Sequence, residues 1–161
     1  MGRHFSCQQL AGFQACGAGF AANCWQGFGG FSWSLGGVSV ADRRSAAELS
    51  ELLDTVHDVM VAAFAVPPRD RYQILQQHAR EHLLIEDTGL GIERSDDVVV
   101  LSVTSRPRSR VQKVGFYAGL ANQLQHRCGL QPSDLVVSIT ENTDDDWSFG
   151  HGRAQFVTGE L

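Results

Sequence analysis

The residues of this chain best suited to chemistry are two arginines spaced two apart, in Ser105-Arg106-Pro107-Arg108-Ser109. Proline biases Arg106 toward extended backbone, and residues two apart in an extended chain project to one side, their backbone positions about 6.5 Å apart. Both guanidinium groups can therefore converge. Two planar forks beside helix-terminal amides suit a small carboxylate held by bidentate hydrogen bonds. The competing reading is two solvated loop arginines, or one arginine paired with a nearby acid. Asp70, at a handover from helix to strand, has the chemistry to position a water or accept a proton. Asp134 stands at the equivalent place further along, and such recurrence favours a structural role in which both carboxylates bond turn amides. Trp147 and Phe149 flank Ser148, so in extended chain they share a face, and Phe156 is placed to join them as core or as substrate wall. His57 falls on the apolar side of a helix, where packing is its expected role. His78, His82 and His151 have no ligand spacing among them, so neither a metal nor another cofactor is expected.

Positioning these side chains requires a scaffold, and the chain describes one twice. Residues 38–41 read as a short strand. Ser45 with Glu48 is a capping box that opens an apolar-periodic helix through Leu49, Leu52, Leu53, Val56, Val59, Met60 and Phe64. Pro67 and Pro68 stop that helix, and residues 71–77 form a strand. The second copy starts with the apolar strand 97–104, repeats the capping box at Ser109 and Gln112, runs a helix to a stop near Gly129, and closes with strand 135–141. One constant shift along the chain lays Ser45 on Ser109, Pro68 on Pro132 and Asp70 on Asp134. Strand-helix-strand crossovers join parallel strands, so the expected fold is α/β: a two-layer sandwich of a β-α-β repeat, with a four-stranded, mainly parallel sheet and two helices on one face. One domain over 38–161 leaves the other sheet face bare, which predicts oligomerisation.

Residues 1–37 differ in character. They hold nine of the 17 glycines, three of the four cysteines and no acidic residue, whereas all 18 carboxylates lie from Asp42 onward. They are expected to form an irregular extension. Cys7, Cys16 and Cys24 lack the close pairing of a zinc site, and reduced thiols are expected. A net charge of −5 argues against a broad electrostatic grip on nucleic acid or anionic lipid. The apolar runs are too short to span a bilayer, and no convincing export signal opens the chain, so a cytoplasmic location is expected.

Four stretches together resemble the tautomerase superfamily, and specifically its malonate semialdehyde decarboxylase branch. They are Asp70-Arg71-Tyr72-Gln73, Glu86-Asp87-Thr88-Gly89-Leu90-Gly91, Ser105 to Ser109, and Glu141-Asn142 leading to Asp146-Trp147-Ser148-Phe149-Gly150. The resemblance covers about three quarters of the chain. It implies a homotrimer acting on a small carboxylate substrate, with Arg106, Arg108 and Asp70 matching the family's arginine pair and aspartate, and Trp147, Phe149, Phe156 and Leu161 forming the hydrophobic wall. It also implies decarboxylation of a 3-oxo acid, or the related tautomerisation or hydration of a 2-oxo acid. In the family an amino-terminal proline supplies a cation beside the substrate carbonyl.

That proline's position falls at Ser34, which follows Trp33 and the whole stretch back to Met1, and the first proline of the chain is Pro67. An internal amide nitrogen has no basic lone pair, and an unassisted hydroxyl is a poor nucleophile. Activity is therefore expected to be impaired. The readings that remain are an upstream start or shifted frame joined to an ordinary enzyme, a member that lacks the proline, and proteolysis before Ser34. From a different class comes a non-catalytic trimer that binds carboxylates.

Overall fold

The computed structural model describes residues 34–161, and the expectations for Met1 to Trp33, its cysteines included, lie outside it. The described chain forms β1 (Ser34–Ala41), α1 (Ala46–Phe64), β2 (Tyr72–His78), β3 (Val99–Ser105), α2 (Arg110–Cys128), β4 (Leu135–Glu141) and a short α3 (Gln155–Thr158). The sheet order is β2-β1-β3-β4. Each repeat contributes a parallel pair, β1 with β2 and β3 with β4, and the two repeats meet antiparallel at β1 and β3. The first strand begins at Ser34 rather than Val38, which takes Ser34 to Gly37 out of the expected irregular extension. Leu35, Gly36 and Gly37 carry little strand signal of their own, but they pair with β2 on one side and β3 on the other, and ladders on both sides offset what glycine lacks.

Both helices start as their sequences dictate. Ser45 Oγ accepts from the Glu48 amide while the Glu48 carboxylate accepts from Ser45 N at 2.8 Å. Ser109 and Gln112 reproduce that exchange at the head of α2. Such a cap contributes about 1 kcal/mol and fixes where the first turn begins. The helices then bury one side against a single face of the sheet. Val38, Val40, Val99, Leu101 and Val103 from the strands meet Leu52, Val56, Met60 and Phe64 of α1 and Phe116, Leu120 and Leu124 of α2. The rings of Phe64, at the end of α1, and Phe116 of α2 lie 4.6 Å apart.

The other sheet face has no such cover among the described residues. It presents Leu35, Val100 and Val136, which are partly buried, beside Ile74, which is 54% exposed, and a run of serines and threonines. The long connection from β2 to β3 is shaped by Asp87, whose carboxylate accepts from the amides of Gly89, Leu90, Gly91 and Ile92 at 2.8–3.2 Å. Gly89 and Gly91 take left-handed backbone to allow this. The Glu86 to Gly91 motif thus builds a loop.

Two glycines of α2 answer opposite questions about packing. A Cβ at Gly119 would stand 3.0 Å from Val59 Cγ1 on α1, whereas one at Gly115 would meet nothing within 4 Å. Gly119→Val should lower stability by about 1–3 kcal/mol through overpacking. Gly115→Ala should raise it by about 0.5–1 kcal/mol through helix propensity. Urea unfolding of both variants checks the pair; equal effects would show that the helices do not approach at Gly119.

Candidate active site

The strand β3 delivers Arg106 and Arg108 to the end of the sheet where α1 also terminates. Phe64 closes that helix, and its carbonyl would ordinarily bond the amide four residues on, but that residue is Pro68, which has none. Ala65 turns left-handed and Arg108 takes up the spare acceptor, its Nη1 donating to Phe64 O at 3.1 Å. The same guanidinium lies over the Phe64 ring, Cζ 4.7 Å from the centroid. Its Nε and Nη2 are buried with no partner among the described residues. Burial first, and then the charge of Arg106, hold Arg108 below its ordinary pKa, while Asp70 pulls the other way.

Asp70 is 2% exposed, and neither carboxylate oxygen has a hydrogen-bond partner among the described residues. Burial pushes its pKa up to about 7 against the opposing attraction of Arg108. The turn that presents it is pinned from α1, where His57 Nε2 lies 2.9 Å from Pro68 O, and by the Asp70 amide donating to Pro67 O at 2.8 Å. His57 therefore bonds as well as packs. Asp134, the repeat partner of Asp70, is equally buried but accepts from both N and Oγ of Ser95 at 2.6 Å. The two copies use one topological place differently: Asp134 ties a loop, and Asp70 leaves its oxygens unspent.

Arg106 turns toward the segment after β4. Its Nε and Nη2 pair side-on with the two oxygens of Asp144, both at 2.7 Å, and its Cζ lies 5.2 Å from the Phe156 ring centroid. One arginine paired with a local acid was among the sequence readings, and this half of it holds. Trp147 and Phe149 stack with centroids 5.4 Å apart, and Phe156 meets Phe149 edge-on at 5.5 Å. Tyr72 extends the row at 5.9 Å from Phe149. Leu161 is anchored through its amide to Gln155 O, and the residue is 40% exposed.

Ser34 pairs with Ser105 at the same end of the sheet, yet its side chain faces the helices. It is 1% exposed, and its Oγ donates to Met60 Sδ at 2.7 Å. The hydroxyl is thus committed to the core, and its backbone nitrogen is an amide linked to Trp33.

Sequence reasoning passed over Phe64, Glu141, Asn142 and Asp144 as parts of the site. Glu141 Oε1 accepts from the Arg108 amide at 3.4 Å and from Lys113, while Asn142 Oδ1 accepts from Trp147 Nε1 at 3.1 Å. A signal was available: β3 and β4 are parallel neighbours, so the residues following each must lie side by side. A cavity of about 400 Å³ opens at the other end of the sheet, among Ala41, Leu83, Ile85, Arg94, Ser95 and Val98. None of the predicted site residues lines it.

Two family models, both described as tautomerase enzyme, match residues 70–150 and 37–93. The chain is 52% identical over 118 residues to the probable tautomerase YrdN of Bacillus subtilis (strain 168), spanning 73% of this chain and 92% of that protein. It is similar in structure to malonate semialdehyde decarboxylase, solved as wild type, mutant and inactivated protein and described as a basis for decarboxylase and hydratase activities. The TM-score is 0.77 at 50% identity, covering 79% of this chain and 98% of that one. A fused 4-OT, described as a symmetric trimer, shares the fold at 18% identity with a TM-score of 0.64, covering 78% and 98%.

The buried carboxyl of Asp70 leaves a mark on stability. With its pKa raised in the folded state, the folded protein keeps a proton that the unfolded chain has already lost. Its contribution is therefore neutral below about pH 4, grows unfavourable as pH rises toward 7, and is constant above. Asp70→Asn, which cannot ionise, should gain on the wild type by about 2–3 kcal/mol between pH 5 and pH 8. Unfolding midpoints at the two pH values check this, and a pH-independent difference would mean that Asp70 titrates normally.

Proposed function

The chain belongs to the tautomerase family, and from that premise we propose that its site binds a small 3-oxo acid and promotes its decarboxylation. The observation that carries this reading is the meeting of unspent polar groups. Two buried nitrogens of a guanidinium and both oxygens of a buried carboxyl with a pKa of about 7 share one end of the sheet. Arg108 holds the substrate carboxylate through charge-assisted hydrogen bonds, and Arg106 flanks it. Asp70 sits beside the carbonyl, where its protonated form donates to oxygen and its ionised form orients water. The aromatic row of Trp147, Phe149 and Phe156, with Leu161 at its margin, closes the apolar side.

Decarboxylation breaks the bond between the carboxylate and the α-carbon, releases carbon dioxide and leaves the electron pair in an enolate, so negative charge gathers on the former carbonyl oxygen. Groups that donate to that oxygen stabilise the transition state more than the ground state. Protonation at carbon then yields the aldehyde. What this chain lacks is a basic amine at Ser34, the position matched to the family's proline, and the peptide nitrogen there supplies no cation. We therefore infer slow turnover by the intact chain. The buried, Met60-bonded Ser34 hydroxyl also favours a second reading, a carboxylate-binding protein that does not turn its ligand over. The bare sheet face with Ile74 and Leu35 supports assembly into a homotrimer, in line with the trimer described for the fused 4-OT.

Incubation with malonate semialdehyde, with acetaldehyde followed by a coupled assay, should show little turnover. Robust turnover would refute the importance of the missing amine. Arg108→Ala should weaken binding of a small carboxylate about 10- to 100-fold, measured by calorimetry, the loss of about 1.4–3 kcal/mol expected for charge-assisted bonds; unchanged affinity would remove Arg108 from the site. Light scattering should give three times 17.6 kDa, and a monomer mass would refute the trimer.

A further inference from the structure

Resting on the carboxylate site just described, we propose that Asp144 determines its charge selectivity: by neutralising one of the two guanidiniums, it makes the site prefer a mono-anion to a dianion of the same size. Asp144 meets Arg106 side-on through both oxygens at 2.7 Å, with the pair only partly exposed, at 25% for Arg106 and 45% for Asp144. Arg108 is in the opposite condition. Its Nη1 donates to the neutral carbonyl of Phe64, and its Nε and Nη2 meet no carboxylate among the described residues. No acidic side chain precedes Asp42, so Met1 to Trp33 bring none to compensate it.

The site therefore holds one guanidinium hydrogen-bonded to a carboxylate and one, Arg108, that Asp70 attracts only through space, its Nε and Nη2 without a partner among the described residues. A ligand carboxylate goes to Arg108, whose Nε and Nη2 are the donors left without a partner among the described residues. A second carboxylate on the same small ligand would come to Arg106 and lie beside the anion already there, and at separations of a few ångströms in a partly dry site that repulsion is large. A neutral carbonyl or amide at the same place meets no such penalty. Selectivity arises as much from what repels the wrong ligand as from what attracts the right one.

The test compares malonate with malonamate, its monoamide, by calorimetry on the full chain at pH 8. Asp70 then carries the same charge in every arm. Wild type should bind malonamate more tightly. Asp144→Asn should move the malonate-to-malonamate affinity ratio about tenfold toward malonate, while Asp144→Glu, which restores the charge, should return it. Asp145→Asn removes an equal charge one residue away on an exposed side chain, and it should leave the ratio as in wild type. Asp144→Ser gives a second neutral replacement should the asparagine variant fail to fold. If both ligands bind but Asp144→Asn leaves the ratio unchanged, or if Asp145→Asn shifts it equally, the proposal is overturned while the site stands. If wild type binds neither ligand, the site reading falls and this proposal with it.

Discussion

Arg108 buries two of its guanidinium nitrogens, and the end of α1 is what makes this tolerable. A buried charge is costly unless its donors are met, and here the acceptor comes from a helix that cannot use it. Pro68 denies Phe64 O its intrahelical partner, the left-handed turn at Ala65 leaves that carbonyl accessible, and the Phe64 ring lies against the cation. The compensation is partial. Two of the guanidinium nitrogens have no partner among the described residues. The environment of Asp70 follows from the same arrangement, because the carboxyl is buried next to a cation that attracts it without hydrogen-bonding it.

The internal repeat shows how one template yields a hydrogen-bonded and an unbonded buried carboxyl. Asp70 and Asp134 sit at the same handover from helix to strand in successive copies, and both are buried. The long loop between β2 and β3 brings Ser95 to Asp134, which spends both oxygens there. No described residue does the same for Asp70. Burial without a donor is the reason its proton is held to a higher pH than that of an ordinary aspartate.

Organisation of the candidate site is concentrated in the last residue of β4 and the few that follow it. Glu141 reaches the Arg108 amide, Asn142 orients Trp147 and extends the ladder to Ser105 O, and Asp144 grips Arg106. Parallel pairing of β3 with β4 makes this economical, since the two strands end side by side and whatever follows one must face whatever follows the other. Rigid placement of a charged pair by a neighbouring turn limits the reorganisation that binding would require.

Local chemistry in the sequence determined the elements. Capping boxes at Ser45 and Ser109, the proline stop after Phe64, the apolar run of β3 and the recurrence of cap, stop and turn in a second copy act over a few residues or over one helical period, so they are legible without coordinates. They sufficed for the two-layer α/β repeat and for the placing of Arg106 and Arg108 at a strand end. The antiparallel meeting of β1 with β3, the start of β1 at Ser34, the pairing of Arg106 with Asp144 and the divergence of Asp70 from Asp134 were decided only in the tertiary structure. Each depends on groups far apart in the chain arriving within hydrogen-bond reach, and a periodic pattern carries no information about which of several equivalent carboxylates will find a donor there.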